Sequence, residues 1–153
     1  MNFFPEIDFE KVNFSSLGYY SFSVSIFDHW LSENEFVECN TLCFSSAKKN
    51  GFLADYLEGE NKFLSFYKYL THSSVLSYQG NNILSFEKYN DNLEEIIINS
   101  LREKSLMDLF FLEMDLRVIG GYDRTDLFLL RDRSKLDGLK KIVNAHGLFV
   151  LEH

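Results

Sequence analysis

The chain has 153 residues, 46% of them hydrophobic, with 16 Phe, 8 Tyr and a formal net charge of −8. That is enough apolar material for the core of one domain and too much for a disordered segment. Residues 1–60 hold 10 Asp+Glu against 3 Lys+Arg, a balance of −7, and residues 61–153 hold 13 against 12, a balance of −1; a field of that sign attracts cationic partners and repels nucleic acid and anionic membrane.

Alanine occurs only at Ala47, Ala54 and Ala145, while Phe, Tyr, Asn, Ile and Lys abound. An AT-rich gene of a low-GC bacterium, a phage or a mobile island encodes such a mixture. The longest apolar runs, such as Leu109–Leu112 and Leu148–Leu151, fall far short of the ~20 residues of a membrane helix. Met1-Asn2-Phe3-Phe4-Pro5-Glu6 lacks the basic and apolar regions of a signal peptide. Cys39 and Cys43 are too few for a disulfide framework, which points to a reducing cytoplasm. Leu151-Glu152-His153 resembles the beginning of a C-terminal histidine tag, so a single domain is expected over 1–150, with 151–153 as tag-derived residues.

Along the chain, Tyr20, Phe22, Val24 and Ile26 alternate with three serines and predict a strand with one polar face. A second alternation over 37–44 suggests another strand. Ser45 or Ser46 then caps a helix with Phe52, Leu53, Tyr56 and Leu57 on its apolar side, which Gly59 interrupts. Phe63, Phe66, Tyr67 and Leu70 predict a separate helix. Two strands over 75–78 and 83–86 flank Gln79-Gly80-Asn81-Asn82 as a hairpin. Asn90 or Asp91 caps a helix to about Lys104, burying Leu93, Ile96, Ile97 and Leu101.

The longest predicted strand covers 109–119, with Phe110, Leu112, Met114, Leu116 and Val118 on one face. Gly120-Gly121-Tyr122-Asp123-Arg124 turns it into an antiparallel partner over 125–131. Ser134 caps a last helix to Ala145, Gly147 ends it, and 148–151 form a final strand. Hairpins among helices predict an α+β domain, its antiparallel or mixed sheet carrying helices on one face.

The candidate chemistry is thin. Cys39 and Cys43 have no second ligand pair for zinc, so both are expected in the core, and neither metal nor cofactor is expected. Asp28 and His29 have no nucleophile elbow to complete a relay, and as neighbours on a helix or strand they would point apart. Gly120-Gly121 leads into a strand, which favours hairpin chemistry over phosphate binding. Glu58/Glu60 and Glu94/Glu95 fit solvated helix faces better than an acid–base pair. Arg124, Arg131, Arg133, Lys135, Lys140 and Lys141 are expected to pair with Asp123, Asp126, Asp132 and Asp137, and no catalytic residue is expected.

The acidic first section remains. Its carboxylates are interleaved with Tyr19, Tyr20, Trp30, Phe36 and Tyr56, the composition of a surface that captures a basic protein. The residues assigned to partner binding are Glu33, Glu35, Glu38, Asp55, Glu58 and Glu60, with Tyr56 and Trp30 as anchors.

In size, acidity, gene-like composition and absence of a catalytic motif, the chain resembles the immunity proteins of contact-dependent growth inhibition and related bacterial polymorphic toxin systems. That resemblance implies a cytoplasmic inhibitor that binds a cognate toxin domain stoichiometrically, many such toxins being nucleases with basic substrate grooves. The alternatives are a small-molecule-binding domain or enzyme with an aromatic-lined pocket near His29 or His72, and a phage-derived assembly subunit.

Overall fold

The computed structural model describes residues 2–11 and 13–153. Seven strands, β1 (Tyr20–Ser25), β2 (Val75–Tyr78), β3 (Ile83–Phe86), β4 (Asp108–Phe111), β5 (Leu116–Ile119), β6 (Thr125–Leu130) and β7 (Phe149–Glu152), form one sheet in the order β3-β2-β4-β5-β6-β1-β7. Every neighbouring pair is antiparallel. Helices α1 (Glu33–Glu38), α2 (Phe44–Lys49), α3 (Leu53–Leu70), α4 (Asp91–Leu101) and α5 (Leu136–Ala145) complete the α+β domain. No described helix is long and apolar enough to cross a membrane.

The register sets the faces. Phe22, Phe128, Val118 and Leu109 lie opposite one another across four strands. Phe63, Phe66 and Tyr67 of α3, Leu93 and Ile97 of α4, and Leu139 and Val143 of α5 pack into the same buried cluster. The other face pairs Phe110 with Arg117 and is covered at that end by the chain's first residues. The Phe3 and Phe4 rings lie 4.8 and 6.3 Å from Phe110. Arg117 forks onto the Asp108 carboxylate at 2.9 and 2.7 Å and donates to the Pro5 carbonyl at 2.8 Å. The Arg117 charge is thereby satisfied where it is buried, as a charge out of water must be.

Several sequence expectations fail; among them, α2 begins at Phe44 with Cys43 rather than Ser45 or Ser46 at its cap, and α3 starts separately at Leu53. Residues 109–119 are two strands: Leu112–Asp115 form a turn in which the Asp115 N–H donates to the Leu112 carbonyl at 3.3 Å, and Asp115 takes a φ of 51°. The turn puts Leu109 and Phe111, not Phe110, on the face of Leu116 and Val118.

Gly59 does not stop the helix, and α3 runs through it for 18 residues. A Cβ there would stand 2.4 Å from Arg124 Nη2, so this glycine serves close approach rather than chain reversal. Residues 37–44 are not a strand. Ser32 and Glu35 form a capping box that starts α1 instead, and the S-x-x-E spacing was the sequence signal for it. The last helix begins two residues after Ser134, following a turn capped by the Asp132 side chain.

Residues 151–153 are continuous with the domain. Leu151 is buried, Glu152 lies in β7, and Ser23 Oγ is 2.9 Å from His153 Nε2.

Candidate functional site

Three pieces of backbone meet at the uncovered end of the outer sheet face: the 26–32 segment leading into α1, the β5–β6 turn, and the floor made by β1, β6 and β7. Between them lies a cleft of about 390 Å³, floored by Leu127 and Leu151 and walled by Phe27, Trp30 and Tyr122, with Ser25 and Thr125 hydroxyls inside. The Trp30 indole N–H donates to the Glu152 carbonyl at 3.3 Å, yet the residue stays 53% exposed. Its amphipathic ring is held at one end and offered at the other.

The β5–β6 turn places the opposite wall. The Thr125 N–H donates to the Tyr122 carbonyl at 3.2 Å, and the two residues between them, Asp123 and Arg124, have φ of 61° and 59°. Those are the φ signs of a type I′ hairpin turn, in which the left-handed positions here fall on Asp and Arg rather than on the glycines. Gly121 is needed for a different reason: a Cβ would stand 2.2 Å from the Thr125 carbonyl oxygen.

Arg124 secures the strained turn by pointing inward. It donates to the Tyr56 carbonyl at 2.8 Å and the Thr41 carbonyl at 3.3 Å, with its guanidinium 4.3 Å from the Tyr56 ring centroid. Tyr122 and Asp123 are left on the cleft side, and Tyr122 is 63% exposed.

Beside this cleft stands α1. Ser32 Oγ accepts from the Glu35 N–H at 3.2 Å, while Glu35 Oε1 accepts from the Ser32 N–H at 3.2 Å. Glu33 and Glu35 occupy its first turn, where carboxylates favour the helix dipole. The helix buries none of its six residues, and Val37 is 78% exposed beside exposed Phe36.

His29 ties α1 to the preceding segment: Nδ1 lies 2.5 Å from Asp28 Oδ1 and Nε2 lies 2.6 Å from Glu35 Oε2. Asp28 and His29 therefore do meet, because 26–29 is a bend in which neighbours need not diverge. The Asp28 and Glu35 hydrogen bonds raise the imidazole above its ordinary value, and His29 in turn lowers Glu35. Since the folded value is raised, the support that this bridge gives α1 is complete below pH 6.5 and fades as pH rises through the folded value. Proton titration of His29 by NMR should give a higher midpoint than in Asp28→Asn or Glu35→Gln; equal midpoints in all three would dismiss the bridge.

Of the residues assigned from sequence, Glu33, Glu35, Glu38 and Trp30 are exposed in one continuous stretch. Asp55 and Glu58 are exposed on another helix, α3. Tyr56 and Glu60 are corrections, since both are buried. The Tyr56 hydroxyl donates to the Leu101 carbonyl at 3.2 Å, and burial pushes it up to about 12. Glu60 accepts from Arg102 Nε and Nη2 at 2.7 and 2.8 Å. Neither offers itself to a partner.

The cysteines are another correction. Both are free and half-buried, with Cys39 ending α1 and Cys43 preceding α2. Ser45 and Ser46 hydroxyls lower the Cys43 thiol. Of the expected basic-cluster pairings, Lys135 near Asp132 and Lys140 near Asp137 remain only as charge neighbours; Arg124 and Asp126 are both buried with no ion pair between them, while Arg131 meets Asp115 at 3.9 Å and Lys140 meets Glu152 at 2.6 Å. Among the described residues no group of three His, Cys, Asp or Glu could hold a metal.

Sequence reasoning missed Tyr122 and Asp123. The available cue was an aromatic residue at a hairpin tip, a position with no core to enter. No protein-family model matches the chain, and no curated protein or solved structure matches it significantly.

Proposed function

We propose that this chain is an immunity protein, a stoichiometric inhibitor that captures a basic bacterial toxin domain, a nuclease by preference, through Trp30 and the acidic face of α1. The observation that carries this reading is the short helix that buries nothing in its own chain. Six residues are too few to hold a helix by themselves, so the capping box and the His29 bridge keep ordered a segment that contributes no core. It sets Phe36 and Val37 among Glu33, Glu35 and Glu38, an apolar centre with an acidic rim. A basic nucleic-acid groove is complementary to such a surface, and charge steering would speed capture of an incoming toxin.

The test is capture from source-cell lysate by wild type and by Glu33→Lys/Glu38→Lys, followed by binding kinetics on the recovered protein. A basic partner at one-to-one stoichiometry is expected, with association slowed by salt and affinity at least tenfold weaker for the double variant. Equal affinity for both forms would reject this face. The Glu60→Lys reversal is unsuitable because it would place a cation in the buried position of Glu60, directly against Arg102.

A further inference from the structure

We infer that the cleft between Trp30 and Tyr122 is a receptor for an arginine side chain of the protein partner. The inference rests on the capture reading and names the group that the site recognises. Its first support is the chain's own habit. Arg102 lies 4.1 Å from the Phe44 ring centroid, Arg124 4.3 Å from that of Tyr56, and Arg133 4.6 Å from that of Tyr20. Trp30 and Tyr122 are the exposed aromatic walls of one cleft, and among the described residues neither carries such a cation.

The second support is charge. Asp123 lines the cleft with its carboxylate outside every ion pair found among the described residues. Burial alone accounts for its raised value, with no cation pulling it down. On the other side His29 lines the cleft, and behind it Asp28 and Glu35 bring two carboxylates to its single imidazole. An incoming guanidinium would find two exposed aromatic rings, Trp30 with the His153 ring 6.0 Å from it, an uncompensated carboxylate, and Ser25 and Thr125 hydroxyl oxygens already bonded to each other at 2.8 Å. Its plane stacks and its N–H fork binds a carboxylate at the same time, which a lysine ammonium cannot do.

Trp30 is the only tryptophan among eight tyrosines, so emission excited selectively at the indole reports on its wall of the cleft. The probes are N-acetyl-arginine amide, its lysine counterpart, and the citrulline amide, a neutral isostere of arginine. Arginine amide should change Trp30 emission saturably, with citrulline about tenfold weaker or worse. Tyr122→Ala should abolish the response, Tyr122→Phe should retain it, and Asp123→Asn should weaken it, all with unchanged thermal midpoints.

Equal responses to arginine and citrulline, or persistence in Tyr122→Ala, would overturn the inference. Lysine matching arginine would overturn the choice of guanidinium. A toxin partner lost by Glu33→Lys/Glu38→Lys but fully retained by Tyr122→Ala would leave the capture reading standing and remove the arginine receptor.

Discussion

Arg102→Ala is expected to destabilise the domain by about 3–5 kcal/mol, because it leaves Glu60 charged in a place that water does not reach. The Glu60 side chain is 4% exposed and that of Arg102 is 22% exposed. Both carboxylate oxygens are taken by the guanidinium fork, and Arg102 also covers the Phe44 ring. The asymmetry of exposure makes a second, sharper expectation. Glu60→Ala strands only the arginine, whose head can turn partly to solvent, so its cost should fall at the low end, about 3 kcal/mol. Glu58→Ala, two residues away on the exposed side of the same helix, should lie within about 0.5 kcal/mol of wild type. Urea denaturation of the three variants at pH 7 gives the order directly. If Glu60→Ala behaves like Glu58→Ala, the pair does not hold α3 to α4.

This pair also shows why the acidic surface was only partly legible. Asp55, Glu58 and Glu60 look alike in sequence, and helical spacing alone does not say which carboxylate turns inward. Arg102 decides it from 42 residues away. Gly59 misled in the same way, since its role depends on Arg124 arriving from a distant hairpin. Several readings that rested on residues within one element succeeded, although the local Ser32/Glu35 capping box was missed. The serine alternation of β1, the Asn90 cap whose side chain accepts from the Leu93 N–H, and the β2–β3 hairpin each follow from residues within one element. The 109–119 segment failed because a four-residue turn preserved the apolar alternation that a continuous strand would show. The exposed part of the candidate site was legible as composition, in Trp30 and the α1 glutamates. Its other wall was not, because the turn geometry that brings Tyr122 and Asp123 across from Trp30 is set by the buried anchor of Arg124.

Asp126→Asn should remove a pH dependence that wild type carries between about pH 4 and 6. Asp126 sits on the helix-covered face opposite Val24, buried, with the Tyr67 hydroxyl donating to Oδ2 at 2.5 Å and the Gly121 N–H donating to Oδ1 at 3.1 Å. Burial pushes the carboxyl from 3.8 up to about 6, outweighing the two hydrogen bonds that favour its ionised form. Tyr67 is held well above its ordinary value by the same burial and by this carboxylate, so it stays neutral across the window.

The folded state therefore prefers the protonated acid. Its stabilising contribution is complete below the unfolded value and is lost as pH rises through the folded one, a difference of about 3 kcal/mol for two pH units. Asparagine keeps an oxygen for Gly121 and offers N–H to Tyr67 without titrating. The stability difference between Asp126→Asn and wild type should thus move in the variant's favour by about 3 kcal/mol from pH 3.5 to pH 7. Denaturation of both proteins across that range measures it, and a difference that stays flat would show that Asp126 ionises in the fold as readily as in the open chain.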